Sequence, residues 1–193
     1  TTTWVRPDPE IFQTVEFDPQ ALTQRFREMA YLTKGVWIRF VDEVRDHEVN
    51  FYFEGGVASF VRHVNRGRQV LNARPIYIEK QVGDVTVEAA IQYNDGFSEA
   101  TFSFANTINT IDGGSHLTGF RSALTRVLND YARKQKFLKE DDANLTGDDV
   151  REGLVAVVSV KLPEPQFEGQ TKTRLGNPDI KGITESVVGE ELA

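Results

Sequence analysis

Apolar positions switch along the chain between a period of three to four residues and a period of two, and each switch marks an element. Leu22, Phe26, Met29 and Ala30 form one helical stripe. Asp18 can cap it, Pro19 suits its first position, and Gly35 can close it in a left-handed conformation. The runs Val36 to Val41 and Val49 to Phe53 are strand-like and joined by charged residues, which predicts a hairpin. After Gly55-Gly56, the spacing of Val57, Phe60, Val61 and Val64 predicts a short helix. Residues 75–81 are rich in Ile and Tyr, and Val85, Val87, Ala89, Ile91 and Tyr93 alternate with more polar neighbours, so two strands are expected. Asn94-Asp95-Gly96 is a turn signal. Phe102 and Phe104 then alternate with Thr101 and Ser103 on a returning strand.

The longest helical stripe is Leu117, Phe120, Leu124, Val127, Leu128 and Tyr131, which predicts a helix over about residues 116–138. Thr146 and Asp149 read as a capping box for a short helix. Leu154 to Val158 is apolar on both faces, as a buried central strand requires. Residues 163–175 read as a polar loop. Asn177-Pro178 then opens a helix with Ile180, Ile183 and Val187 inward. Mostly antiparallel strands with helices on one face are expected, an α+β fold. The chain opens Thr1-Thr2-Thr3-Trp4-Val5-Arg6 as if in mid-strand and without Met, which predicts a piece excised from a longer polypeptide.

Composition narrows the chemistry. The 193 residues carry 22 Lys+Arg against 29 Asp+Glu, a net charge of −7, with no Cys and three His. A disulfide framework, a Cys-ligated zinc and a thiol nucleophile are excluded, and no metal site is expected. No apolar run approaches the roughly 20 residues of a membrane span, and no signal-peptide pattern opens the chain. A cytoplasmic protein with no membrane partner is the expectation. The acidic balance argues against a surface coated for nucleic acid while leaving room for a local basic patch.

Three segments could carry chemistry. The long helix holds Arg121, Arg126, Arg133, Lys134, Lys136 and Lys139. It reads either as a phosphate-contacting surface or as a solvated face balanced by Glu140, Asp141 and Asp142. The loop Gly169-Gln170-Thr171-Lys172-Thr173-Arg174 could hold a phosphate without being a Walker A motif, and it also reads as an ordinary polar surface loop. Asp112-Gly113-Gly114-Ser115-His116 suits a turn and helix cap, with anion approach or a Ser–His pair as the sharper alternatives. The neighbouring carboxylates Asp148 and Asp149 suit a helix first turn.

Several segments in order along the chain resemble one family. They are Pro7 to Phe12 (PDPEIF), Tyr52 to Gly56 (YFEGG), Gln92 to Phe97 (QYNDGF) and Asn106 to Arg126 (NTINTIDGGSHLTGFRSALTR). Thr146 to Gly153 (TGDDVREG) and Glu164 to Leu175 (EPQFEGQTKTRL) complete the set. Together they resemble the DNA gyrase B family of bacterial type IIA topoisomerases. Leu117 to Arg121 is more similar to gyrase B than to its paralogue in topoisomerase IV. A fragment of that paralogue, and a stand-alone nucleic-acid-binding module of S5-like fold, are the alternatives.

The resemblance implies that residues 55–193 form a transducer domain with the fold of ribosomal protein S5 domain 2. It implies that residues 1–54 are the C-terminal part of a GHKL-type ATP-binding domain. In the family the lysine of the QTK loop contacts the ATP γ-phosphate and the glutamine assists, which maps to Lys172 and Gln170. An arginine at the start of the long helix faces a cavity through which DNA passes, which maps to Arg121. A loop lysine can sense a terminal phosphate because that group adds charge, and losing it on hydrolysis frees the loop. The family's catalytic glutamate, magnesium-binding asparagine and glycine-rich lid map before residue 1, and its TOPRIM domain maps after residue 193. The implied partners are DNA, gyrase A in an A2B2 heterotetramer, and a second gyrase B protomer. ATP and Mg2+ would serve the full-length enzyme, with neither expected on this piece and no hydrolysis by it alone.

Overall fold

The structure, a computed structural model, describes residues 1–193. The chain divides into two compact units, Thr1–Phe53 and Glu54–Ala193. No helix is long and apolar enough to cross a membrane.

In the first unit, α1 (Pro19–Leu32) starts where the Asp18 carboxylate accepts the Gln20 amide N–H at 2.9 Å. The helix buries Ala30, Tyr31 and Leu32. β1 (Ile38–Asp42) and β2 (His47–Phe51) pair antiparallel as the expected hairpin. Rings tie helix to hairpin: Phe26 lies 5.5 Å from Phe40, and Tyr31 stacks on Phe53 at 3.8 Å. Arg39 grips Glu48 through two hydrogen bonds of 2.8 and 2.7 Å. Thr1 to Arg6 forms no strand; Trp4 and Val5 are exposed, and no strand of the structure pairs with them.

The second unit is α+β. It comprises α2 (Gly56–Val64), β3 (Ile76–Val82), β4 (Val85–Tyr93), β5 (Ala100–Ala105), β6 (Ile108–Asn109), α3 (Ser115–Lys134), α4 (Gly147–Arg151), β7 (Leu154–Lys161) and α5 (Pro178–Leu192). The sheet order is β3-β4-β7-β5-β6. β7 lies in the middle, antiparallel to β4 and parallel to β5. The Asn94–Gly96 turn therefore does not close a hairpin between β4 and β5. A parallel pair needs a crossover, and α3 and α4 supply it between β5 and β7.

Helices cover both faces of this sheet, not one. Leu154, Ala156, Val158 and Val160 of β7 share a core with Val87, Ala89 and Ile91 of β4, Phe120 and Leu124 of α3, and Val187 and Val188 of α5. On the opposite face α2 packs, with Phe60 at 5.3 Å from Phe102 and 6.1 Å from Phe104. That second cover explains why the polar positions of β4 are buried although the alternation suggested a wet face. Glu88 and Gln92 are both buried, and each is hydrogen-bonded: Tyr77 donates to Glu88 at 2.8 Å and Asn65 donates to Gln92 at 2.9 Å. An unpaired amide there would cost roughly 1–3 kcal/mol, and an unpaired carboxylate more.

The helix α3 ends at Lys134, four residues short of the periodic pattern. Lys136 turns to φ 61°, and the amides of Phe137 and Leu138 both donate back to the Ala132 carbonyl. The apolar stripe is correspondingly shifted, so that Tyr131 is exposed while Ala123 and Ala132 are buried.

Candidate functional site

Residues 166–176 leave the core after β7 and return to it before α5. The excursion is held at its base. The Gly176 amide donates to the Gln166 carbonyl at 2.7 Å, and the Gln166 amide donates to the Asn177 side chain at 2.7 Å. Phe167 pairs with Leu175 as an antiparallel bridge, and the Glu168 amide donates to the Arg174 carbonyl at 2.9 Å. The tip turns at Gly169 (φ 87°) and again at Lys172 (φ 56°). A non-glycine residue in the left-handed region is uncommon, and such strain concentrates where a side chain must be aimed.

At that tip Gln170 and Lys172 are exposed, and neither side chain has a hydrogen bond or ion pair within the chain. The Lys172 ammonium lies 5.9 Å from the centre of the Phe167 ring, the outer range of a cation–π contact. The one other cation nearby is spent: Arg174 Nε bonds Glu168 at 3.2 Å. A free ammonium and a free amide on a braced loop form a donor set that fits phosphate oxygens. No group of three or more His, Asp or Glu side chains is placed to hold a metal ion.

The same loop is fastened to the lead into α3. The Asp112 amide donates to the Thr173 carbonyl at 2.9 Å, and Arg174 Nη1 donates to the Asp112 carbonyl at 3.2 Å. The Leu175 amide donates to Gly113 at 3.1 Å, and the Ser115 amide donates to Leu175 at 3.0 Å. Gly114 sits in this parallel bridge at φ 138°, where a Cβ would lie 2.5 Å from the Leu175 oxygen. Gly114 therefore serves close backbone approach here, while Gly113 takes φ 75°, where a Cβ would meet the Leu117 side chain at 3.0 Å. They do not frame a nucleophile: His116 is wholly buried, and its Nε2 meets Thr110 Oγ1 at 3.2 Å. Thr110 Oγ1 also lies 2.9 Å from the Ser103 carbonyl and 2.7 Å from the Ser103 hydroxyl, so the ring nitrogen closes a buried polar cluster. The imidazole Nδ1 has no partner, and burial pushes the pKa of His116 down to about 4.

Arg121 lies on the second turn of α3. Its Nη2 bonds Glu99, in the β4–β5 connection, at 2.7 Å. Arg151 of α4 bonds the other oxygen of Glu99 at 3.0 Å. Partial burial raises the pKa of Glu99, but hydrogen bonds from Thr101 and Arg121 and the charges of both arginines outweigh it and hold the carboxyl below its usual range.

The basic face of α3 is not uniform. Arg133 donates to Asn144 at 2.6 Å and to the carbonyls of Lys139 and Asp142, so it braces the segment after the helix. Arg126 is exposed and unpaired.

Lys172 and Gln170 thus share one loop tip, whereas Arg121 occupies a separate place on α3. The hydrogen-bonded lead at residues 112–115 links the two. Sequence reasoning singled out neither Glu99 nor the bracing roles of Arg174 and Arg133. Their partners are far away in the chain, and no local spacing signals them.

The sequence profile of the family described as DNA gyrase B matches residues 56–193. The gyrase B protein of Clostridium acetobutylicum is 54% identical over 194 residues, covering 100% of this chain and 30% of that protein. The gyrase B protein of Halalkalibacterium halodurans is 53% identical over 191 residues, covering 97% of this chain and 30% of that protein. The 43K ATPase domain of Thermus thermophilus gyrase B, solved in complex with an aminocoumarin, superposes with a TM-score of 0.84 at 45% identity. That match covers 96% of this chain and 50% of that one. The chain spans less than a third of the length of these two curated relatives.

Proposed function

The chain belongs to the DNA gyrase B family, and on that premise we propose that it couples nucleotide state to DNA strand passage within a longer ATP-dependent type II topoisomerase. Residues 55–193 act as the transducer, with the fold of ribosomal protein S5 domain 2. Residues 1–54 belong to a GHKL-type ATP-binding domain. Lys172 donates to the γ-phosphate of ATP and Gln170 assists it. Arg121 faces passing DNA. The partners are gyrase A, a second gyrase B protomer and DNA. Mg2+ and the remaining nucleotide contacts come from other residues of the full protein.

The observation that carries this reading is the free Lys172 ammonium on a loop braced on both sides. A terminal phosphate adds about one to two negative charges that ADP lacks at that position, so contact to Lys172 distinguishes the two nucleotides. When the phosphate leaves, Lys172 loses its only ionic partner. Its stem is bonded to the lead of α3, so a change at the tip reaches the helix that bears Arg121. The stand-alone nucleic-acid-binding reading is not favoured, because the likeness to gyrase B runs over the whole chain.

The test is the full-length protein carrying Lys172→Ala, assayed with gyrase A. ATP turnover and supercoiling should both fall by about two orders of magnitude, the size of one lost charge-assisted contact to a transition state. Lys172→Arg should recover only part of the rate, because a planar fork replaces a point charge. Turnover within twofold of the parent for Lys172→Ala would sink the assignment.

A further inference from the structure

The loop tip that bears Lys172 also bears an acid. Glu168 stands at one foot of the tip and Arg174 at the other, with only residues 169–173 between them. Arg174 Nε donates to Glu168 Oε1 at 3.2 Å, and Nη1 of the same fork donates to the Asp112 carbonyl at 3.2 Å. Phe167, the neighbour of Glu168, packs against the core, and the Lys172 ammonium lies 5.9 Å from the centre of its ring. Four residue steps from Glu168 to Lys172 reach about 13–14 Å at full extension. The turns at Gly169 and Lys172 make the tip shorter than that. A pair between Lys172 and Glu168 is therefore within reach of two long side chains, yet Lys172 makes none, because Glu168 is already held.

The guanidinium is not what closes the loop. The Glu168 amide donates to the Arg174 carbonyl at 2.9 Å and the Gly176 amide to the Gln166 carbonyl at 2.7 Å, and neither bond uses a side chain. An ion pair whose partners are 48% and 61% exposed adds little stability. What the pair changes is charge. Without Arg174, a free carboxylate would stand beside Lys172, compete with a phosphate for its ammonium and repel that phosphate directly. The other acid near the tip is Asp112. Its amide and carbonyl fasten the stem, and its carboxylate makes no ion pair.

We propose that Arg174 is a positioning residue for nucleotide recognition: by holding Glu168 it keeps the Lys172 ammonium open to a terminal phosphate, and so sets the preference of the tip for a nucleoside triphosphate over a diphosphate. The proposal rests on the reading of Lys172 as the γ-phosphate contact and adds the residue that keeps that contact available. Arg174 acts through Glu168 and does not touch the nucleotide. In the diphosphate state the same pair stops Lys172 from closing on its own loop, so the next triphosphate meets a free ammonium.

The experiment is isothermal titration calorimetry of the full-length protein with a non-hydrolysable ATP analogue and with ADP. Far-UV circular dichroism confirms that each variant is folded. Arg174→Ala should weaken the analogue about fivefold, the upper end of what one exposed ion pair can withhold, and leave ADP within about twofold. Arg174→Lys should bind both nucleotides within about twofold of the parent, because an ammonium still satisfies Glu168. Adding Glu168→Gln to Arg174→Ala should restore the analogue to within about twofold of the parent, since no carboxylate is left to compete. Adding Asp112→Asn should not restore it. Equal weakening of both nucleotides by Arg174→Ala, or no restoration by Glu168→Gln, would make Arg174 a structural brace and overturn the proposal. Restoration by Asp112→Asn in place of Glu168→Gln would overturn the role given to Glu168, and the proposal with it. If Arg174→Ala is silent while Lys172→Ala weakens the analogue, the proposal fails and the role of Lys172 stands. If Lys172→Ala is also silent, the phosphate reading of the loop fails with it.

Discussion

Replacing Gly114 by Ala tests whether the lead into α3 is truly welded to the loop that bears Lys172. Gly114 adopts φ 138°, which side-chain-bearing residues rarely take, and that conformation alone costs roughly 1–3 kcal/mol. The added Cβ would also lie 2.5 Å from the oxygen, 2.6 Å from the nitrogen and 2.9 Å from the Cα of Leu175. All three are backbone atoms, so no side chain can swing away to relieve the clash. The strands must part, and the bonds from Ser115 to Leu175 and from Leu175 to Gly113 stretch with them. Two such bonds are worth about 1–3 kcal/mol together. The expected destabilisation is therefore roughly 2–6 kcal/mol, a large part of the roughly 5–15 kcal/mol that holds a typical domain. Urea unfolding followed by far-UV circular dichroism measures it as a fall in midpoint of about 1 M or more at an unchanged slope. Tryptophan fluorescence is unsuitable, because Trp4 and Trp37 both lie in the Thr1–Phe53 unit. In the full-length protein the same variant should lower ATP turnover by loosening the stem below Lys172. A midpoint within about 0.2 M of the parent, roughly 0.5 kcal/mol or less, would refute the welded lead.

Gly182 offers the opposite case: it sits inside α5 with an ordinary φ, and a Cβ added there would meet nothing within 4 Å. Gly182→Ala should stabilise the second unit by about 0.5–1 kcal/mol in the same urea assay, through helix propensity alone. His116 gives a pH dependence. Its folded pKa is depressed to about 4 by burial, from an ordinary 6.5, so the unfolded chain binds a proton that the folded chain refuses. The stability this neutral imidazole allows is fully present above pH 6.5 and is lost as pH falls towards 4, by about 3 kcal/mol at most. Urea midpoints should drop across that window, and the His116 ring proton in NMR should show no titration between about pH 7 and 5. A ring that titrates near 6.5 in the folded chain would contradict the buried, neutral imidazole.

Local rules made much of this fold readable. Asp18 and Pro19, the Thr146–Asp149 box and the doubly apolar run at Leu154 each act within a few residues of their own position, so sequence spacing carries them. The order of strands does not work that way. Nothing near Asn94–Gly96 says that β7 will insert between β4 and β5, because the pairing depends on a strand about sixty residues further along. The burial of Glu88 and Gln92 was hidden for a related reason: α2, which covers them, comes from a separate stretch of chain. Lys172 and Gln170 could be placed on a loop from composition alone, but their freedom from partners depends on Arg174 and Glu168 pairing with each other. The basic face of α3 shows the limit most plainly. Arg121, Arg126 and Arg133 look alike in the sequence, yet one is bound to Glu99, one is free and one braces a loop.

The central claim is that the loop tip senses a terminal phosphate and passes its state to the lead of α3. Amide hydrogen exchange on the full-length protein measures this directly, comparing a non-hydrolysable ATP analogue with ADP at saturation. Exchange should slow at residues 169–176 and also at residues 112–115 with the analogue, because contact to Lys172 immobilises a stem hydrogen-bonded to both segments. Equal exchange at residues 169–176 with the two nucleotides would contradict phosphate sensing by Lys172. Slowing confined to the tip, with residues 112–115 unchanged, would contradict its transmission to α3.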